Sequence, residues 1–129
     1  MAPQGRDNAK QVTVTTIALL LCIFIPFKIA YAATYIVGDS LGWNFNVRDW
    51  PSEKTFTVGD TLVFNYDTSL HNVVEVDIHG YNNCQVSSRF KTFTSGNDSI
   101  KLLAAGHNYF ICGFSGHCNK GMKIDINVI

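Results

Sequence analysis

The chain has 129 residues, 47% of them hydrophobic and 16% charged, an ordinary globular composition with room for one domain and not for two. Ten basic and ten acidic residues cancel, but unevenly: residues 1–32 hold Arg6, Lys10 and Lys28 against Asp7 alone, leaving seven basic and nine acidic residues, net −2. That balance excludes a nucleic-acid-binding surface.

Residues 1–32 read as a secretory signal peptide. Arg6 and Lys10 precede an apolar run from Ile17 to Phe27, and Ala30-Tyr31-Ala32 places small residues where cleavage is expected. A spanning helix needs about 20 apolar residues; this run contains Pro26 and closes at Lys28, and a retained anchor is the alternative. Cleavage after Ala32 leaves a domain of residues 33–129, whose limited core would gain from a disulfide or a metal. Ile129 ends the chain without an apolar tail, so no lipid anchor is expected there. The mature protein is expected to be secreted and soluble.

Within that domain short β-like runs follow one another: Tyr35–Val37, Thr61–Tyr66, Asn72–Val76, Lys91–Thr94, Ser99–Leu103, Asn108–Cys112 and Lys123–Val128. Val58-Gly59-Asp60, Ser95-Gly96-Asn97 and Ala105-Gly106 supply turns between them. The last run alternates strictly, which predicts one buried face and one wet face. Helical periodicity is missing beyond a turn or two near Trp50–Lys54 or Tyr81–Gln85. The expected class is all-β, a two-sheet sandwich of about seven to eight strands in preference to a closed barrel.

Cys22 leaves with the leader, so three cysteines remain, Cys84, Cys112 and Cys118. The count is odd in an oxidising compartment. Cys112, His117 and Met122 stand at five-residue intervals between two predicted strands, and His71 stands at the entry of Asn72–Val76. Two imidazoles, one thiolate and a weak axial thioether form the trigonal set of copper that shuttles one electron. A structural zinc site is the lesser reading, since zinc seldom takes a thioether. The set leaves no open coordination position, so an electron carrier is expected and not an enzyme; a Cys112/His117 hydrolase dyad lacks an orienting third residue and an oxyanion signature. With Cys112 a metal ligand, Cys84 and Cys118 are left to pair across a loop of about 35 residues, for which chain entropy gives roughly 4 kcal/mol.

Tyr35-Ile-Val-Gly-Asp-Ser-Leu-Gly-Trp43, Phe64-Asn-Tyr66, His71-Asn-Val-Val74 and Cys112-x4-His117-Cys118-x3-Met122 resemble the phytocyanins, and among them the plantacyanin (basic blue) subgroup. The likeness covers essentially all of the mature chain. It implies a cupredoxin Greek-key β-sandwich, one type I copper on His71, Cys112, His117 and Met122, a Cys84–Cys118 disulfide, one-electron transfer and an extracellular, apoplastic place. It also implies that Asn72 ties the two ligand loops together. Met122 matches plantacyanins and uclacyanins where stellacyanins carry Gln. The chain departs from the family at Ser115, commonly Pro, and in its net negative domain.

His79 and His107 read as turn-flanking surface residues, and Trp43 and Trp50 as core. Phe114 is a candidate for an exposed apolar contact patch. Asn97-Asp98-Ser99 is an N-glycosylation sequon in an expected turn. The partner is expected to be a redox protein or a small reductant, with cell-wall components a further class and the protein itself a monomer. An extracellular signalling or adhesion factor in plant reproductive tissue, with copper secondary, is the rival reading of the same fold.

Overall fold

Alternation of apolar and polar side chains sets most of the strands. In β2 (Thr61–Asn65) Leu62 and Phe64 are buried, and in β7 (Lys123–Val128) Ile124, Ile126 and Val128 are; each set points into one core. The computed structural model describes residues 31–129, and the signal-peptide reading falls, but for its last two residues, outside them. The domain, Ala32–Ile129, holds seven strands. β1 (Thr34–Ile36), β2 and β5 (Asn97–Lys101) form one sheet in the order β1-β2-β5. β4 (Lys91–Phe93), β3 (Val73–Val76), β6 (Gly106–Ile111) and β7 form the other in the order β4-β3-β6-β7. β1 runs parallel to β2 and the remaining neighbours are antiparallel. This is the expected two-layer all-β sandwich.

β3 is apolar on both faces because both are covered. Val73 joins the core between the sheets, while Val74 and Val76 join Ile111 and Cys118 in a second cluster on the outer face of the four-stranded sheet. The helix α1 (Ile78–Asn83) lies by that face, with Tyr81 packed on the cluster. Its first turn is capped by the Asp77 carboxylate, which accepts from the Gly80 amide at 2.8 Å. Gly80 lets the helix approach closely, since a Cβ there would meet the Val76 Cβ at 2.8 Å.

Two expectations are corrected. The strand placed at Ser99–Leu103 is Asn97–Lys101, so the sequon is not in a turn: Asn97 is exposed at the start of β5, opposite Asn65. The cause is Asp98, which points inward and is buried, its carboxylate accepting from the Tyr66 hydroxyl and from Ser95 Oγ. The helix expected near Tyr81–Gln85 begins earlier, at the Asp77 cap; His79 therefore lies on α1 and not beside a turn.

The candidate metal centre

Four segments meet at one end of the sandwich. Phe110 faces the inter-sheet core and Ile111 the outer face, so the next step of the alternation turns Cys112 inward, where it is 1% exposed. The β6–β7 ladder continues one bond further, from the Cys112 amide to the Met122 carbonyl at 3.0 Å. That bond closes the base of the intervening loop. Inside it the His117 amide donates to Phe114, Gly121 to Cys118, and Met122 to His117, around a short 3-10 turn, Cys118–Lys120. Gly116 and Gly121 take φ of 79° and 100°, the left-handed region that favours glycine. Cys118 bridges to Cys84 at the end of α1, and Cys112 is the free cysteine.

His71 arrives by a different route. The Asp67 carboxylate accepts from the amide and hydroxyl of Ser69 at 2.9 and 2.6 Å, and the Asp67 carbonyl accepts from the amides of Leu70 and His71. This tight turn delivers His71 to the start of β3. Asn72 Oδ1 then accepts from the Gly113 amide at 2.6 Å, joining the two ligand loops, while its carbonyl accepts from Trp43 Nε1 at 2.9 Å. Gly113 permits that approach: a Cβ there would stand 3.1 Å from Asn72 Oδ1.

The Nδ1 atoms of His71 and His117 are 3.1 Å apart, and Cys112 Sγ lies 3.8 and 3.5 Å from them. A point equidistant from the corners of a triangle with those sides lies about 2.0 Å from each, the length of a metal–imidazole bond and slightly short for a thiolate. Among the described residues these three atoms have no hydrogen-bond partners but one another. Met122, fully buried, shares the core cluster with Cys112. Burial, aided by the nearby His117 and opposed by Asp67, holds the His71 imidazolium below the usual histidine range, which favours the neutral ring a metal needs.

The chain matches the plastocyanin-like domain over residues 43–122. It is 46% identical over 128 residues to a basic blue protein of Arabidopsis thaliana, covering 98% of each chain. It is 42% identical over 123 residues to a chemocyanin of Lilium longiflorum, covering 95% of this chain and 96% of that one. Among solved structures it is similar to cucumber basic protein, a blue copper protein, with TM-score 0.72, 50% identity and coverage of 74% of this chain and 99% of the other. The chain is a phytocyanin. Its fold is that of the cupredoxins, and its His/Cys/His/Met cluster can hold one copper ion.

Around the centre this phytocyanin carries aromatic rings that sequence reasoning only partly anticipated. Phe114 is half-buried and stacks on His117 at 5.7 Å and 29°. Phe45 was not singled out; its ring meets His117 at 4.8 Å and His71 at 5.5 Å, edge to face. The Trp43-x-Phe45 spacing was the available signal, since Trp43 anchors the segment by its bond to Asn72. The two spare histidines stand apart from the cluster. His107, on β6, pairs with Asp125 at 2.8 Å, and His79 is exposed on α1. Trp43 is buried as expected, whereas Trp50 is only half-buried and packs at the edge of the core.

Proposed function

We propose that this phytocyanin is a secreted one-electron carrier whose copper is held by His71, Cys112, His117 and Met122. The observation that carries this is the triangle of two Nδ1 atoms and one Sγ, spaced for a single ion and without other partners among the described residues. Copper bound there supplies a Cu(II)/Cu(I) couple between the preferences of imidazole and of thiolate and thioether. The chain does the rest. Cys112 would offer its thiolate and the neutral imidazoles their Nδ1 atoms, and buried Met122 would supply its thioether and exclude water. Asn72 and the Cys84–Cys118 bridge hold the loops so that little moves when the charge changes. The half-exposed ring of His117 is the edge through which an electron from a small reductant or redox protein enters and leaves. The four donors fill the coordination positions, which supports a carrier in preference to an enzyme.

Cleavage after Ala32 and export to the cell wall follow from the leader, and the exposed Asn97 side chain is open to glycosylation on the way. Purified mature protein loaded with Cu(II) tests the reading by visible spectroscopy and EPR. An intense thiolate-to-copper band and a small copper hyperfine splitting are expected; a colourless protein with ordinary copper EPR overturns it. Met122→Gln is expected to keep the blue site and lower its reduction potential, and an unchanged or higher potential by voltammetry removes Met122 from the axial position.

A further inference from the structure

Far from the ligands, one carboxylate is buried where no metal is needed to explain it. Asp60 ends the turn before β2 and is 2% exposed. Its Oδ2 accepts from the Thr57 amide and its Oδ1 from the Ala33 amide, both at 2.8 Å. Burial alone would raise its pKa, yet those amides, helped by the Thr57 side chain, hold it below the usual carboxylate range. No salt bridge reaches it among the described residues. A buried carboxylate without a cationic partner is uncommon, because desolvation is costly unless charge or several donors offset it.

The donor at Oδ1 is the nitrogen of Ala33, the residue that follows the expected cleavage position. Ala33 is further fixed from its other side, since its carbonyl accepts from the Thr61 amide at 2.9 Å. While the leader is attached, that nitrogen is a neutral amide with one hydrogen. Hydrolysis of the Ala32–Ala33 bond adds one water: Ala32 leaves with a carboxylate, and Ala33 keeps an amine that is protonated at neutral pH. The nitrogen that stands 2.8 Å from Asp60 Oδ1 as an amide would then be an ammonium facing a buried anion. Charge-assisted bonds of this type are about twice as strong as neutral ones.

We propose that cleavage between Ala32 and Ala33 completes the fold, by turning the Ala33 amide into an ammonium that forms an ion pair with the buried carboxylate of Asp60. The inference rests on the secretion reading above and is independent of copper. The ion pair requires one register of processing. Cleavage one residue earlier moves the charge one residue along the chain, a Cα spacing of about 3.8 Å, and leaves the Ala33 nitrogen an ordinary amide.

Two measurements test it. The full chain expressed in a secreting plant host and analysed by mass spectrometry is expected to begin at Ala33; any other N-terminus overturns the proposal. Proteins beginning at Ala33, with a free or an acetylated terminus and with Asp60 or Asp60→Asn, form a double-mutant cycle. The full set of strands lies within Ala32–Ile129, and the circular dichroism of each protein checks that it folds. Acetylation keeps an N–H for Asp60 and removes only the charge. It is expected to lower Tm by about 5 to 10 °C beside Asp60 and by much less beside Asp60→Asn. Beginning the chain at Ala32 is expected to act like acetylation. An equal effect of acetylation on both backgrounds overturns the ion pair even if the secreted protein begins at Ala33. An N-terminus elsewhere, with the cycle as expected, overturns the processing and with it the secretion reading's cleavage position.

Discussion

At the end of the sandwich where β2 begins, the Asp60 carboxylate is buried and both its oxygens accept from backbone amides of the chain. At the end where β2 finishes, two imidazole nitrogens and a thiol sulfur converge and, among the described residues, have only one another. Both ends place polar atoms where water is scarce, and such atoms destabilise a fold unless they are partnered. The first end solves this with its own peptide groups. The second leaves it to a metal, and its loops are fastened from outside the triangle, by Asn72, the Asp67 turn and the disulfide, so that the three donors stay free. If this contrast is right, changes at the two ends separate cleanly into those that abolish metal binding and those that weaken the fold.

Cys112→Ser is the sharpest break. It removes the thiolate without touching the disulfide, so the blue absorption is expected to vanish completely while the far-UV circular dichroism is retained. The same variant sorts electron transfer from a signalling or adhesion role: biological activity that survives it removes copper from the function. Replacing both Cys84 and Cys118 by Ala comes next. The bridge spans 34 residues of sequence, and chain entropy gives a loss of about 4 kcal/mol in urea unfolding of the metal-free protein. A loss confined to metal affinity, with unfolding unchanged, would place the bridge in the ligand end's service alone.

Tyr66 links the sheets beside the ligand end, its single hydroxyl proton directed to the buried Asp98 carboxylate and shared with the Phe93 carbonyl at 3.1 Å. Tyr66→Phe is expected to cost about 2 kcal/mol, the worth of one bond to a charged acceptor. Burial, then the bond to Asp98, pushes the Tyr66 phenol up to about 12. A folded value above the unfolded one means that the stabilisation is whole below about pH 10 and is lost as pH rises towards the folded value. Urea midpoints of the wild type should therefore fall across that alkaline window more steeply than those of Tyr66→Phe. Parallel curves for the two proteins would remove the tyrosine from the sheet-to-sheet link.

The ligand end was legible because its chemistry is local in sequence: a thiol, an imidazole and a thioether within eleven residues, Cys112 to Met122, plus the three cysteines, an odd number, of residues 33–129. The strands were legible wherever one face is wet, as in β7. Legibility failed where a polar residue is turned inward. Asp98 looked like part of a solvated turn, and its bonds to Tyr66 and Ser95 draw it and the start of β5 into the sandwich. Phe45 escaped for another reason, since its partners His71 and His117 lie far along the chain and contacts of that separation leave no periodic trace. Asp60 read only as a turn residue. Its burial depends on Ala33 and Thr57 meeting it in space.

Asn72 joins what the sequence kept apart, and it offers the smallest effect that still discriminates. Its side chain serves the loops and its backbone serves Trp43, so Asn72→Ala deletes the bond to Gly113 and leaves the bond from Trp43 Nε1 intact. The Gly113 amide is then half-buried without an acceptor, a loss of about 1 kcal/mol in unfolding. The local consequence should exceed the global one. Hydrogen exchange at the Gly113 amide is expected to accelerate strongly while the β6 and β7 amides keep their protection. Supporting residues of this kind alter metal affinity by about 10-fold, so copper should bind more weakly with its colour retained. Uniform loss of protection across β6 and β7 would mean that Asn72 supports the sheet itself, and that the ligand end is less separable from the core than its geometry suggests.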